Sequence, residues 1–328
     1  MQIHTVETLT MKKPTVLLLE TVSPKAHNNL EQNCHLLISK SPKSGLEIVG
    51  NQNVDAIITR GKGQVNKELI TACKGLKVIA RCGVGLDNVD IETASSLGIK
   101  VLNAPGSNAD TVAEHTLALI LSAQRKIYTS VEEVKNENWG YRGKYDGDEI
   151  RGKTLGIIGM GDIGKKVARL ASAFGMNILY SNRSKVDTNY KNVHIDILLK
   201  ESDIISIHLE FNNETKGCLS AESFSKSVKS PILINTSRGG IIEDHQVLSA
   251  LKNGYISAFA ADVLSTEPPP KDSELLKMKN VYITPHSASL TSITFNEMCE
   301  MTVENTLFIL EGREIDDKFI FNRIELRL

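Results

Sequence analysis

Short apolar runs alternate with longer amphipathic stretches along the chain. This alternation is typical of parallel α/β folds, in which helices separate buried strands. The runs are rich in Val, Ile and Leu and end in Gly, Pro, Asn, Ser or a charged residue, so they predict buried strands rather than helices. The predicted strands are residues 15–20, 35–38, 55–59, 77–81, 100–103, 154–159, 177–181, 203–209, 231–235, 256–261 and 281–284.

The two groups of predicted strands are separated near Pro105 and Gly106. Proline restricts the residue before it and glycine loosens the chain after it, so we predict a hinge here. The hydrophobic spacing predicts one long helix over residues 110–135, a glycine-containing loop over 136–151 and a last amphipathic helix over 291–310. The pattern therefore predicts an α/β protein with parallel sheets.

Composition narrows the possible partners and the compartment. The 328 residues carry 38 Lys and Arg against 39 Asp and Glu, a balance that argues against nucleic acid or a membrane surface as a partner. No apolar run reaches the ~20 residues of a membrane helix. Residues 1–10 lack the pattern of a signal peptide, and Met11 is an alternative start of the chain. The five scattered cysteines predict free thiols in a reducing cytoplasm and no metal site.

A glycine-rich loop follows the first strand of the second group. Its sequence is Gly159-Met160-Gly161-Asp162-Ile163-Gly164, with a strand before it and an amphipathic helix after it. In a dinucleotide-binding loop the first glycine allows a tight turn, the second lets the backbone approach a pyrophosphate, and the third lets helix pack on strand. The amides at the helix start, at Asp162 and Ile163, then hold the phosphates. The alternative is a glycine-rich turn with a structural role only.

Three residues suited to one chemistry follow three later strands. Arg238 offers a planar charged group that matches a carboxylate and polarises a neighbouring carbonyl. His286 can transfer a proton near neutral pH, and Glu267 would orient its imidazole and favour the charged form. The alternative roles are a solvated arginine, a turn glutamate and a loop histidine. His115 and His208 fit a structural place or the cofactor rim better than catalysis.

The end of the predicted strand 177–181 bears on the choice of cofactor. An NAD-binding unit usually places Asp or Glu there, which binds the ribose 2′-hydroxyl and repels a 2′-phosphate. Here the strand is followed by Asn182, Arg183 and Ser184, with no carboxylate. Arginine can bind a phosphate with two hydrogen bonds. The pattern favours NADP over NAD, although hydroxyls and amides could also bind NAD.

Taken together, these motifs resemble the D-isomer-specific 2-hydroxyacid dehydrogenase family over nearly the whole chain. The matching segments are 81–90, 98–105, 113–115, 159–164, 235–240, 262–263 with 267–268, and 284–286. The resemblance implies a nucleotide domain inserted into a discontinuous, flavodoxin-like substrate domain. The expected bounds are 105–286 for the Rossmann-type NAD(P)-binding domain, and 11–104 with 287–328 for the substrate domain.

The resemblance also implies roles for individual residues. The expected catalytic residues are Arg238, Glu267 and His286. The expected cofactor-binding residues are Gly159, Gly161, Asp162, Ile163, Gly164, Asn182, Arg183, Ser184, His208, Thr236 and Asp262, with Asp262 near the nicotinamide amide. The amides of Val84 and Gly85 are expected to meet the substrate carboxylate together with Arg238. The long helix after Asp110 resembles the element through which members form homodimers.

The predicted function is hydride transfer between NAD(P)H and a small 2-oxo or D-2-hydroxy acid. Arg60 and Arg81 lie where phosphoglycerate dehydrogenases bind the substrate phosphate, whereas the segment 287–291 is more similar to glyoxylate and hydroxypyruvate reductases. A dinucleotide-sensing binding protein, similar to corepressors on the same fold, is the alternative from another class. A formate-type dehydrogenase is disfavoured, because its family would have Asn and Gln in the role of Glu267.

Overall fold

The computed structural model describes residues 13–50 and 52–327. The alternative start at Met11, the segment before it and the terminal residue 328 lie outside the described residues. The chain divides into two compact units. One is formed by the chain up to Asn108 and from Thr291 onward, and the other is Ala109–Leu290.

The first unit contains a parallel five-stranded sheet in the order β2-β1-β3-β4-β5. Its strands are β1 Thr15–Leu18, β2 His35–Ile38, β3 Ala56–Thr59, β4 Val78–Arg81 and β5 Lys100–Leu102. Its first helices are α1 Pro24–Asn33, α2 Gly45–Val49, α3 Lys67–Ala72 and α4 Ile91–Ser96. This strand order is the flavodoxin-like one, as the resemblance implied.

The second unit contains a parallel seven-stranded sheet in the order β12-β11-β10-β9-β6-β7-β8. Its helices are α5 Ala109–Gln124, α6 Ile127–Lys135, α7 Asp162–Ala173, α8 Ile195–Glu201, α9 Ala221–Ser225 and α10 Asp244–Lys252. Its strands are β6 Thr154–Ile158, β7 Asn177–Ser181, β8 Lys191–Asn192, β9 Ile204–Ile207, β10 Ile232–Asn235, β11 Ala258–Ala261 and β12 Val281–Ile283. The order reverses between β6 and β9, as in a Rossmann fold.

Helices cover both faces of each sheet, which explains why the strands are nearly continuous apolar runs. In the first unit, alternate residues of β1 belong to different cores: Val16 faces one and Leu17 the other. The last long helix, α11 Ser292–Leu310, returns to this unit and adds Cys299, Val303 and Leu307 to the core that contains Val16. No helix among the described residues has the length and apolarity needed to cross a membrane.

The prediction of a single long helix over 110–135 is wrong, because the structure contains two helices there, α5 and α6. They are separated at Lys126, whose φ of 49° is left-handed. The segment predicted as a loop supplies the reason. The hydroxyl of Tyr145 donates to the carbonyl of Arg125 at 2.7 Å, and the amide of Asp148 donates to the carbonyl of Gln124 at 3.0 Å. These bonds satisfy carbonyls that end a helix. The predicted loop also contains a 3-10 turn, Trp139–Lys144.

Candidate active site

The glycine loop joins β6 to α7 with a geometry that needs glycine at two positions. Gly159 has a φ of 95°, and a Cβ there would lie 2.4 Å from the carbonyl oxygen of His208. A Cβ on Gly164 would lie 2.2 Å from the carbonyl oxygen of Gly159. Gly161, by contrast, has open space around its Cβ position and begins α7 without a side-chain cap. The first amides of α7, at Asp162 and Ile163, thus start a helix whose N-terminus suits a pyrophosphate.

The residues after β7 lie beside this loop. Asn182 accepts a hydrogen bond from the amide of Met160 at 3.1 Å and donates to the carbonyl of Ser184 at 2.9 Å. Arg183 forms an ion pair with Glu214, and both side chains are largely exposed. The strand end therefore carries a cation and no acidic residue of its own, but an acidic partner from the segment after β9 holds that cation.

His208 follows β9 and is half-buried. Burial lowers the pKa of His208 to about 3, so its imidazole is neutral near pH 7. Nε2 lies 2.8 Å from the hydroxyl of Ser206, while Nδ1 has no hydrogen-bond partner within the described part of the chain. The backbone carbonyl of His208 packs against Gly159.

Arg238 is presented by a turn directly after β10. The side-chain amide of Asn235 donates to the carbonyl of Arg238 at 3.0 Å, and its oxygen accepts from the amide and hydroxyl of Ser237. Arg238 itself donates to the carbonyl of Ser237 at 2.7 Å. Thr236 shares a hydrogen bond of 2.8 Å with Thr116 of α5. This network fixes the backbone from which the guanidinium extends.

Glu267 and His286 form a direct pair. Nδ1 of His286 lies 2.7 Å from Oε2 of Glu267, and the other carboxylate oxygen accepts from the amide of Leu264 at 3.0 Å. Burial raises the pKa of Glu267, but these two hydrogen bonds and the charges of His286 and Arg238 outweigh it, so that pKa lies below its usual range. An ionised Glu267 accepts from Nδ1, which leaves Nε2 of His286 for a reactant.

Asp262 directly follows β11 and is 2% exposed. Its two carboxylate oxygens accept from the amides of Ser287 and Ala288, at 2.9 and 2.8 Å. Arg238, Asp262 and His286 therefore follow the carboxyl ends of β10, β11 and β12, which are neighbours in one parallel sheet. That edge of an open α/β sheet is where ligands bind.

Two of the four predicted substrate contacts in the first unit are arginines that already have partners. Arg60 follows β3, donates to the carbonyl of Thr21 at 3.3 Å, and stacks on the ring of Phe295 at 4.7 Å. The guanidinium of Arg81 lies against Gly83, because a Cβ there would be 2.7 Å from its Nη1.

Val84 and Gly85 lie in the loop after β4. Asn103 donates to the carbonyl of Val84 at 2.7 Å, and the amide of Ala104 donates to the carbonyl of Gly83 at 2.9 Å. These contacts hold the loop against the end of β5.

Sequence reasoning missed several residues that shape these loops. Glu20 accepts hydrogen bonds from the amides of residues 60–63 and from the hydroxyl of Thr59. Its position at the end of an apolar run gave no signal for a partner forty residues away. Asn235 did carry a signal, since an asparagine followed by Thr and Ser after a strand is typical of a side-chain-capped turn.

A family model described as D-isomer specific 2-hydroxyacid dehydrogenase, NAD binding domain, matches residues 117–288. The chain is 39% identical to D-3-phosphoglycerate dehydrogenase of Archaeoglobus fulgidus over 84% of its own length and 53% of the relative. It is 35% identical to glyoxylate reductase of Aeropyrum pernix, over 92% of this chain and 95% of that one. The chain thus spans about half of the first relative and nearly all of the second.

A solved structure is similar to this chain over nearly its whole length. It is an NADPH-dependent glyoxylate/hydroxypyruvate reductase from Sinorhizobium meliloti in complex with NADP and malonate, with a TM-score of 0.85, 25% identity, and coverage of 94% of this chain and 98% of that one. These relatives are named as enzymes, and none of them supports a dinucleotide-sensing binding protein. The chain belongs to the D-isomer-specific 2-hydroxyacid dehydrogenase family, whose members are NAD(P)-linked oxidoreductases of hydroxy acids.

Proposed function

We propose that the protein reduces a small 2-oxo acid of the glyoxylate or hydroxypyruvate type to the D-2-hydroxy acid, with Arg238, Glu267 and His286 as the catalytic residues. The observation that carries this proposal is the 2.7 Å contact between His286 and Glu267. It lies at the same sheet edge as Arg238 and the glycine loop. The arrangement combines a proton donor, a residue that orients it and a carboxylate-binding cation.

The chemistry follows from the atoms that remain available. A bound nicotinamide cofactor supplies the hydride that is added to C2 of the substrate. Nε2 of His286 donates a proton to the carbonyl oxygen, and Glu267 stabilises the imidazolium before the transfer. Arg238 binds the substrate carboxylate and polarises the adjacent carbonyl. In the oxidative direction, neutral His286 accepts the hydroxyl proton instead.

For the cofactor, we propose that the loop from Gly159 to Gly164 holds the pyrophosphate. The fit rests on the open space at Gly161 and on the uncapped start of α7. Asn182, Arg183 and Ser184 would face the ribose, with His208, Thr236 and Asp262 along the cofactor rim. The missing carboxylate after β7 supports a preference for NADPH, although Glu214 competes for Arg183.

For the domains, we propose that residues 105–286 form the NAD(P)-binding domain, and that 11–104 with 287–328 form the substrate domain. The loop at Val84 and Gly85 would meet the substrate carboxylate with its amides. Arg60 and Arg81 would serve a phosphorylated substrate such as 3-phosphohydroxypyruvate. Their present contacts favour the smaller substrates, because Arg60 would have to leave Phe295 and Thr21.

For assembly, we propose a homodimer formed through α6 and the 3-10 turn after it. This helix buries none of its residues, and it exposes apolar side chains at helical spacing: Ile127, Val131 and Val134 are each about half exposed, and Trp139 is 73% exposed. Apolar surface of this kind usually marks an interface. All five cysteines are free thiols, which supports a reducing compartment such as the cytoplasm.

The test is a panel of glyoxylate, hydroxypyruvate, 3-phosphohydroxypyruvate and pyruvate, each assayed with NADH and NADPH by loss of absorbance of the reduced cofactor. We expect turnover of glyoxylate or hydroxypyruvate. If 3-phosphohydroxypyruvate is turned over with a much higher kcat/KM than hydroxypyruvate, the substrate is a phosphorylated acid, and Arg60 and Arg81 bind its phosphate. If no 2-oxo acid is reduced with either cofactor, the proposed function is wrong.

A further inference from the structure

We propose that His115 is a positioning residue that holds the proposed proton donor His286 in place through Thr284 and Asp262. All four residues belong to the unit Ala109–Leu290. His115 lies on α5, whereas Thr284 and His286 follow β12 and Asp262 follows β11. This inference rests on the proposed function, because it concerns how the catalytic loop keeps its geometry.

The backbone conformation at His286 must be stabilised by contacts with other residues. Its φ of 53° places a non-glycine residue in the left-handed region, a conformation that costs about 1 kcal/mol and persists only where surrounding contacts impose it. Those contacts come from Asp262. Its carbonyl accepts from the amide of His286 at 3.0 Å, and its carboxylate accepts from the amides of Ser287 and Ala288. Asp262 thus binds three consecutive amides of the catalytic loop.

A carboxylate that is 2% exposed must have its charge compensated by hydrogen bonds or a cation. Besides the two amides, the hydroxyl of Thr284 donates to Oδ1 of Asp262. Nε2 of His115 lies 2.9 Å from the hydroxyl oxygen of Thr284 and 3.6 Å from the same Oδ1. His115 is therefore the side chain of α5 that contacts the hydroxyl of Thr284 and lies near this carboxylate.

The direction of these bonds follows from the number of protons. A threonine hydroxyl has one proton, and Thr284 donates it to Asp262, which is much closer than the carbonyl of Ala261 at 3.4 Å. Its oxygen can then only accept, so Nε2 of His115 must be the donor in their contact. The chain of hydrogen bonds runs from His115 to Thr284 to Asp262, and from there to the loop that carries His286. Loss of the first donor leaves the hydroxyl free to rotate, which weakens the hold on Asp262.

Four variants separate hydrogen bonding from simple packing. His115→Leu and Thr284→Val remove the donor and the relay, whereas His115→Gln and Thr284→Ser keep a donor and a hydroxyl at similar positions. Matched controls are His27→Leu on α1, a similarly half-buried histidine beside Glu31, and Thr306→Val on α11, a buried hydroxyl bonded within its helix. Each variant is assayed for kcat, substrate KM and the Kd of NADPH.

We expect His115→Leu and Thr284→Val each to lower kcat by about tenfold, because small misplacement of a catalytic group is costly. Substrate KM should change by less than about threefold, since neither residue is assigned to substrate binding. His115→Gln and Thr284→Ser should recover most of kcat. The double variant should be no slower than the slower single variant, because both act through one network.

Two kinetic results would overturn the inference. One is a kcat for His115→Leu equal to that of His27→Leu, and the other is a His115→Gln enzyme as slow as His115→Leu. Inactivity of the wild-type enzyme with every 2-oxo acid would instead refute the proposed function. Hydrogen exchange of the amides of residues 286–288 then decides the positioning role without activity. Exchange should be faster in Thr284→Val than in Thr306→Val, and equal rates would overturn the inference.

Discussion

Two glutamates in this protein, Glu267 in one unit and Glu20 in the other, use the same carboxylate in different ways. Oε1 of Glu267 binds an amide and Oε2 binds His286. Glu20 instead accepts from four consecutive amides, those of residues 60–63, on one oxygen, Oε2, at 2.8 to 3.0 Å. For both, burial raises the pKa, but hydrogen bonds outweigh it and the pKa lies below its usual range.

The difference lies in what the partner can still do. An imidazole bound through Nδ1 retains Nε2, so the pair with Glu267 leaves a second functional nitrogen available. A backbone amide has one proton, and once this is donated to Glu20 it has no further function. The first carboxylate therefore supports chemistry, and the second stabilises the loop that carries Arg60.

The strongest test of the chemical side of this contrast is His286→Ala. We expect kcat to fall by about 10² or more, the usual scale for general acid catalysis, with the Kd of the cofactor within about twofold of wild type. His245→Ala, at an exposed histidine, is the control. A parallel loss of cofactor affinity would mean that His286 has a structural role.

The structural role of Glu20 is tested by Glu20→Ala, which leaves the amides of residues 60–63 without their acceptor. We expect the free energy of unfolding to fall by about 2 kcal/mol, the scale for lost hydrogen bonds to a charged group, and the midpoint of thermal unfolding to fall by about 5 °C. The exposed Glu31, which pairs with His27, supplies the control variant Glu31→Ala. If both variants lose the same free energy of unfolding, Glu20 stabilises the fold no more than an exposed glutamate does.

A third glutamate sharpens the contrast, because Glu214 pairs with Arg183 on the surface. If Arg183 reads a 2′-phosphate, Arg183→Ala should raise the KM for NADPH by about tenfold, or ~1.4 kcal/mol, and leave the KM for NADH nearly unchanged. Glu214→Gln should lower the KM for NADPH by a smaller factor, since exposed ion pairs are weak. A wild-type enzyme that prefers NADH tenfold would refute the NADP preference.

The smallest effect concerns a histidine without a carboxylate partner. The pKa of His208 is about 3 in the folded protein, against about 6.5 in the unfolded chain. Below pH 6.5 only the unfolded chain takes up this proton. The free energy of unfolding therefore decreases as the pH is lowered, by about 1 kcal/mol between pH 6.5 and 5.5. We therefore expect the melting temperature of His208→Gln to fall less than that of wild type over this range. The exposed His35→Gln should follow wild type.

The strands were predictable because they are buried on both faces, which makes each an apolar run that a pattern can detect. The strand β8, Lys191–Asn192, was missed because both residues are exposed at the sheet edge. The break at Lys126 was missed because the hydrophobic spacing continues across it. Its cause is a set of hydrogen bonds from residues twenty or more positions further along the chain.

The position of the candidate catalytic residues at one sheet edge could be predicted because strand, turn and residue are adjacent in the sequence, and parallel strands bring their carboxyl ends to one edge. The contacts between Asp262, Thr284 and His115 could not be predicted. Thr284 and Asp262 are 22 positions apart, and His115 is 169 positions from Thr284. Local patterns contain no information about such pairs.

The discontinuity of the first unit has a consequence for synthesis. Asn322 accepts from the amide of Val101 and donates to the carbonyl of Ile99 and the hydroxyl of Ser95, each at 2.9 Å, and α11 completes one core. During synthesis, β1 to β5 emerge before the residues that complete their core. The segment 109–290 has its own core and can fold while the earlier strands are still unpaired with α11. Limited proteolysis of a chain that ends at residue 290 should therefore cut before Asn108 and spare the later segment, and uniform cleavage would show that segment 109–290 also needs the residues after it.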